Sequence, residues 1–311
     1  MSKLRACLIL NGKQANNEGI RTAVHLQRER GWDLSVRVTW EASDVSRLVQ
    51  EALADGHSIL VAGGGDGTLG EVADALLKAK GEASLVLLPL GTANDFATAA
   101  GIPLEPVDAL ELLDTPPVAV DLGKMNSRFF LNIATGGFGS QVTANTSEDL
   151  KRFLGGGAYL LTGLTRFAEV HSVRGRFHGP DFEWEGDFFA FGIGNGRQAG
   201  GGQELCPRAL IDDGLLDLCI IPAPTDTVST LGTLLARGLH GVEAISLNAR
   251  LPWIDVSFPE ALDINLDGEP ASNERMHFSI QPQALRLHLP ADSPLLKANS
   301  DAEPGEATGG E

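Results

Sequence analysis

The sequence predicts an α/β plus β architecture: an open, mostly parallel sheet covered by helices, followed by a mainly antiparallel β-sandwich. Three observations lead there. Strand-like and helix-like segments alternate through the first third of the chain, the rhythm of a parallel sheet with helices on both faces. After about Val120 the apolar runs become short, β-rich and bounded by Gly, Pro, Asp and Asn, as in antiparallel strands. Two glycine-containing segments also fall where a predicted strand gives way to a helix, the place where open α/β sheets bind ligands.

The elements follow in order. Leu4–Leu10 is a short apolar strand and Glu18–Arg30 has helical character. Leu34–Trp40 places Leu34, Val36, Val38 and Trp40 on one face, the strand period. Ser43 reads as the N-cap of a helix through Ala54, which Gly56 ends. Ser58–Ala62 is a buried strand, then a glycine cluster, then a helix over Thr68–Lys80. Leu85–Leu90 makes the next strand, and Thr92–Ala100 and Val107–Leu113 read as helices. In the second part, Phe188–Ile193, Leu215–Ile221, Leu262–Leu266 and the alternation of Leu285, Leu287 and Leu289 read as strands. Helical segments interrupt them near Asp149–Val170 and Thr227–His240. The small, acidic tail, 299–311, reads as disordered.

With 311 residues the chain can bury a core in each of two domains. Cys7, Cys206 and Cys219 are scattered without a CxxC pair, which suggests reduced thiols, not a disulfide framework or zinc site. A net charge of −17 disfavours non-specific binding to nucleic acid or anionic headgroups. No apolar run approaches the roughly 18 residues that span a bilayer. The first residues enter a strand without a signal-peptide pattern, so a cytoplasmic location is expected.

Gly63-Gly64-Gly65-Asp66-Gly67-Thr68 lies between a buried strand and a helix. Glycines let the backbone approach phosphate oxygens, and a helix N-terminus offers unpaired N–H groups. Gly65 to Gly70 formally matches the dinucleotide fingerprint GxGxxG, but the loop follows the third strand, and Leu85–Leu90 ends without an acidic residue. Asp66 would also face the pyrophosphate: unit charges about 4 Å apart repel by roughly 4 kcal/mol at an effective dielectric of about 20. A cation between them, or a proton to handle, would justify that aspartate. No GK[ST] follows, which excludes a Walker A loop. Pro89-Leu90-Gly91-Thr92-Ala93-Asn94-Asp95-Phe96-Ala97 also opens a helix at a strand's end, where Thr92 and Asn94 can bond a nucleotide and Asp95 adds a carboxylate. Alone, it reads as a helix cap.

Together, Gly64–Thr68 and Gly91–Phe96 resemble the catalytic domain of diacylglycerol, sphingosine and ceramide kinases, and within these the bacterial YegS-type lipid kinases. The likeness runs from about Leu8 to Leu296, through Leu10–Lys13, Val38–Glu41, Ala134–Gly139, Gly192–Gly202, Leu205–Pro207, Ala209–Ile211, Asp213–Leu216 and Leu266–Pro270. NAD kinases share the glycine–aspartate loop; the Gly-Thr-Ala-Asn-Asp-Phe and Asp-Gly-Glu-Pro segments point to the lipid branch.

The resemblance implies a Rossmann-like α/β domain over 1–128, joined by a returning strand at about 284–296, and a β-sandwich domain over 129–283, with ATP in the cleft between them. It implies nucleotide contacts at Thr39, Gly65, Asp66, Gly67, Thr68, Leu69, Gly70, Glu71 and Thr92. It also implies a divalent ion, Mg²⁺ with Ca²⁺ possible in its place, held by the carbonyls of Leu210 and Leu215 and the Asp213 carboxylate, and Glu269 as proton acceptor. Gly70 departs from the asparagine these kinases usually carry. The implied partners are ATP and a membrane lipid reached by transient contact, with no nucleic acid.

Phosphoryl transfer depends on positioning and electrostatics, and a carboxylate can relieve the acceptor hydroxyl of its proton. Asp66 and Asp95 are candidates to organise metal and phosphates or to share proton handling. Asp267-Gly268-Glu269-Pro270 also reads as a hairpin turn, and Asp212-Asp213-Gly214 equally as a turn or a hard-cation site. Asp121 is a candidate to reach that ion through water. Lys151, Arg152 and Arg166 within Leu150–Phe167 make either a bilayer-facing patch or part of a packed helix. The competing readings are a kinase of a soluble acceptor such as NAD⁺, an NAD-dependent oxidoreductase, and a non-catalytic nucleotide- or lipid-binding protein.

Overall fold

The computed structural model describes residues 5–41, 43–137, 172–199, 202–223 and 246–300. The helical segments expected at 149–170 and 227–240, the basic patch at 150–167 and the tail over 301–311 lie outside the described residues.

Strands β1 (Arg5–Leu10), β2 (Asp33–Val38), β3 (Ile59–Gly64) and β4 (Ser84–Pro89) pair in parallel in the order β2-β1-β3-β4. β3 and β4 are buried along their whole length, as expected of strands covered on both faces. β2 is different. Leu34 is buried, but Val36 and Val38 are exposed and Trp40, beyond the strand, is 92% exposed. The alternation read as one buried face belongs to an edge strand whose outer end is left uncovered by the described residues.

Helix α1 (Glu18–Glu29) starts at Asn17, whose side chain accepts from Gly19 N and Ile20 N, and it buries Ile20, Ala23, Val24 and Gln27. Helix α2 (Asp44–Ala54) begins after Ser43, which makes no side-chain cap bond. The Asp44 carboxylate instead fixes the segment that leads into the helix, accepting from Trp40 N at 2.7 Å and Glu41 N at 2.9 Å. Helix α3 (Asp66–Lys78) starts two residues before the expected Thr68. The expected helix Thr92–Ala100 shrinks to α4 (Asp95–Ala99), because Asn94 adopts a left-handed conformation at φ 52°. Helix α5 (Pro106–Glu111) opens on a proline, whose missing N–H costs nothing there.

The remaining strands are β5 (Val118–Met125), β6 (Arg128–Phe130), β7 (Ile133–Gly137), β8 (Val173–Gly179), β9 (Phe182–Gly194), β10 (Gln198–Ala199), β11 (Gln203–Glu204), β12 (Leu216–Pro222), β13 (Leu247–Leu251), β14 (Trp253–Leu266) and β15 (Glu269–Leu287). β14 and β15 form a long hairpin, and β15 continues beside β5 until Leu287 pairs in parallel with Leu85 of β4. On its other side β14 pairs with β7 and β8, which leads through β9 and β12 to β13.

One ladder of strands thus carries two principal apolar cores. The first is aliphatic and gathers β1–β4, their helices, Val120, Leu122, Leu285 and Leu287. The second is aromatic: Phe177 lies 5.4 Å from Phe191 and 5.5 Å from Phe188, ring centre to ring centre. β15 feeds both. It is interrupted between Gln281 and Leu285, where Gln283 has φ 52° and donates its N–H to Asp121 Oδ1 at 2.8 Å. Cys7, Cys206 and Cys219 are all buried, and burial pushes the Cys219 thiol up to about 11, away from the reactive thiolate.

Candidate functional site

The carboxyl ends of β1–β4 converge on one edge of the parallel sheet. After β1, Gly12 N donates to Thr39 Oγ1 at 3.3 Å, and Gln14 Nε2 donates to Leu90 O at 3.0 Å. After β3 and β4 the two glycine segments meet. Leu90 N donates to Gly64 O at 2.7 Å, and a Cβ on Gly91 would lie 2.6 Å from the Gly65 Cα. A Cβ on Gly64 would lie 2.2 Å from Thr68 Oγ1. Only backbone without side chains fits at these contacts.

Asp66 ties the second segment to the first. Its carboxylate accepts from Asp95 N at 3.0 Å and Phe96 N at 2.9 Å, so a side chain on α3 caps α4. Burial pushes the Asp66 carboxyl up from its ordinary range against those two hydrogen bonds, and the Asp95 charge adds to the rise. Asp95 in turn accepts from Gly202 N at 2.6 Å. Both acids are therefore built into backbone ties, a role their sequence setting did not reveal.

A cleft of about 310 Å³ opens between this edge and the second core. Gly65, Asp66, Gly67, Thr92 and Asp95 line it, and Asn132, Gln198 and Asp267 form the opposite wall. The buried Oδ1 of Asn132 and Oε1 of Gln198 have no hydrogen-bond partner among the described residues. Buried acceptors of this kind are ordinarily satisfied; the Asn132 oxygen lies against Gly196, where a Cβ would come within 2.3 Å of it.

The other residues expected at the nucleotide sit differently. The Thr39 hydroxyl oxygen accepts from Gly12 N. Leu69 is in the core, 1% exposed, and its N–H bonds Gly65 O at 3.1 Å within the first turn of α3. A Cβ on Gly70 would lie 3.6 Å from Asp267 Oδ2, and one on Gly67 would lie 3.6 Å from Glu269 Oε1. Glu71 is half-buried, and its carboxyl is raised by burial first and by the Glu269 charge second. Glu269 thus stands at the N-terminal turn of α3, exposed, on the first residue of β15.

Asp267 is the residue that sequence reasoning passed over. In the turn it looked like ordinary Asp-Gly chemistry, yet it is buried and its carboxylate accepts from Leu131 N at 2.6 Å, Asn132 N at 3.1 Å and Ile133 N at 2.9 Å. Burial outweighs these bonds and pushes its carboxyl up to about 6.

The residues expected at a second, structural cation form a separate cluster. Asp213 Oδ1 accepts from Leu215 N at 3.0 Å, while Oδ2 pairs with the Arg250 guanidinium. Arg250 also reaches Asp217 Oδ2 at 3.2 Å. Asp121 Oδ2 accepts directly from Gly214 N at 2.7 Å. Burial raises the Asp213 carboxyl, and the Asp121 charge contributes. These are oxygen donors suited to a hard cation, but Arg250 already supplies the positive charge on Asp213. No group of three or more His, Cys, Asp or Glu that could hold a metal occurs among the described residues.

Residues 5–125, which carry both glycine segments, match the diacylglycerol kinase catalytic domain. The chain belongs to that family, in its YegS-like lipid kinase branch: residues 133–289 match the YegS C-terminal NAD kinase beta sandwich-like domain. It is 64% identical over 297 residues to a Pseudomonas aeruginosa PAO1 protein named probable lipid kinase YegS-like, covering 96% of this chain and 98% of that one. A namesake from Pseudomonas putida KT2440 is 58% identical over 296 residues, covering 95% and 99%. Among solved structures, a Bacillus anthracis diacylglycerol kinase superposes with a TM-score of 0.74 at 21% identity, covering 94% of this chain and 99% of that one. At that identity the likeness concerns the fold.

Proposed function

We propose that the chain transfers the γ-phosphoryl group of ATP to a lipid hydroxyl, of the diacylglycerol or phosphatidylglycerol kind, with Glu269 as general base. The observation that carries this reading is the contact of Gly65 with Gly91 beneath the Asp66 cap, directly across from the hairpin that bears Glu269. The bare backbone of the two loops and the start of α3 seat the phosphates, and Thr92 and Thr39 edge the same region. Asp66 holds α4 in place, and Asp95 joins it to Gly202. The acceptor oxygen attacks the γ-phosphorus as the bond to the β–γ bridging oxygen breaks; ADP leaves and the hydroxyl proton passes to Glu269. A divalent cation with the nucleotide supplies neutralisation of phosphate charge. Leu210, Leu215 and Asp213 are the residues that would hold the structural ion.

Among the described residues no helix is long and apolar enough to cross a membrane, so the lipid is met by transient contact in this reading. The test is transfer from labelled ATP to a total lipid extract with Mg²⁺ and with Ca²⁺, followed by identification of the product. Labelled lipid that disappears in Glu269→Gln is expected. Label appearing only on NAD⁺, or nowhere, overturns the proposal.

A further inference from the structure

We infer that Asp267 is the positioning residue that fixes the proton acceptor, holding the tip of the β14–β15 hairpin so that Glu269 faces the phosphate loop. This rests on the reading of Glu269 as general base. The hairpin itself does not need Asp267 in this form. Its two central residues take φ 49° and 94°, a turn for which Asn-Gly serves as well as Asp-Gly. Its closure is secured by Gly268 N donating to Asn265 Oδ1 at 2.7 Å and by the pairing of Leu266 with Glu269.

A turn residue of a hairpin ordinarily faces water. This one turns inward, is 8% exposed, and receives three consecutive backbone N–H groups from the link between β6 and β7. Its own N–H completes the tie by donating to Ile133 O at 3.2 Å. Burying a carboxylate is unfavourable, as the upward push on its carboxyl shows, and a local choice that opposes stability tends to mark a functional position.

The platform that receives it is itself fixed. Asn132 O accepts from Asn195 N at 2.9 Å and Gly196 N at 2.6 Å, and Asn132 Nδ2 donates to Gln198 O at 2.8 Å. β14 is already paired with β7 as far as Leu266, opposite Ala134; Asp267 carries that attachment one residue further, from the fixed cleft wall onto the turn that leads to Glu269. Two residues on, Glu269 Oε1 lies 3.6 Å from the position of a Cβ on Gly67, so the tie sets the distance between acceptor carboxylate and phosphate loop. Asp267 does not touch the reacting atoms; it acts through Glu269.

Asp267→Asn keeps the shape and the turn but presents an amide N–H to a backbone N–H, which breaks at least one tie. Turnover in the ATP-to-lipid assay is expected to fall about 100-fold, the scale of a 1 Å displacement of a reacting group. The decisive readout is the double variant. If Asp267 acts through Glu269, Asp267→Asn/Glu269→Gln is no slower than Glu269→Gln alone. Multiplicative losses, or wild-type turnover in Asp267→Asn, overturn the inference while leaving Glu269 as base. High activity in Glu269→Gln removes the base assignment and the inference with it. Should Asp267→Asn not fold, Asp267→Glu, which keeps the carboxylate but displaces it by one methylene, must show a loss of turnover that is again absent on the Glu269→Gln background; losses that multiply there count against the inference equally.

Discussion

Replacing Gly91 with alanine tests the phosphate seat at its narrowest point. The new methyl would lie 2.6 Å from the Gly65 Cα and 2.8 Å from Asn94 Oδ1, whereas carbon atoms rest at about 3.5–4.0 Å. The two loops must part by about 1 Å. Overpacking of this kind costs about 1–3 kcal/mol, and each kcal/mol lowers Tm by roughly 2–4 °C in a chain somewhat shorter than this. Separation also lifts the N-terminus of α4 away from Asp66 and strains the hydrogen bond from Gly91 N to Asn94 Oδ1, 2.8 Å long. A displacement of that size in groups that position a reacting phosphate reduces turnover about 100-fold. Thermal melts, nucleotide titration and lipid phosphorylation measure the three effects separately. Gly67→Ala is the control for folding, since its methyl meets Glu269 Oε1 at an ordinary 3.6 Å. If Gly91→Ala binds ATP and turns over like wild type, the contact between the loops is not where phosphates sit.

Three further outcomes are expected. Asp66→Asn keeps an acceptor for only one of the two α4 N–H groups; it loses a charge-assisted bond of about 1.5–3 kcal/mol, offset by relief of burial, so the melt shifts modestly while turnover is abolished. The Asp267 carboxyl, at about 6 when folded, titrates near 3.9 when unfolded. The folded state therefore holds this proton more tightly, and the associated stability is present below about pH 4 and lost by about pH 6, roughly 3 kcal/mol in all. Unfolding in denaturant across this range shows that slope flattened in Asp267→Asn. Arg250→Ala leaves the carboxylates of Asp213 and Asp217, 6% and 8% exposed, without their cation; a loss of about 3–5 kcal/mol is expected, with divalent cations recovering more Tm than in wild type if the Leu210–Asp213–Leu215 set takes an ion.

How far the sequence carried depended on the range of the interaction. β1, β3 and β4 are runs of apolar residues buried on both faces, and composition alone marks them. α1 begins at Glu18, where its helical character was expected to begin. Misreadings arose where the deciding partner is distant. Val36, Val38 and Trp40 alternate like a half-buried strand, but exposure at the sheet edge depends on a neighbour that is not there. The cap on α4 comes from Asp66, nearly thirty residues earlier, so the segment read from its own residues as a longer helix. Asp267 satisfied a local turn rule, which concealed its bonds to Leu131, Asn132 and Ile133. The motif residues themselves were legible because glycines and acids in those loops have few local uses.

Because β15 belongs to both cores, neither half owns a complete set of strands. Removing the segment after Gln283 would take Leu285 and Leu287 from the aliphatic side and free the end of a ribbon whose other stretch closes the aromatic side. The strand common to both cores is irregular where it passes from one to the other, between Gln281 and Leu285, and the Asp121 carboxylate holds its backbone there through Gln283 N.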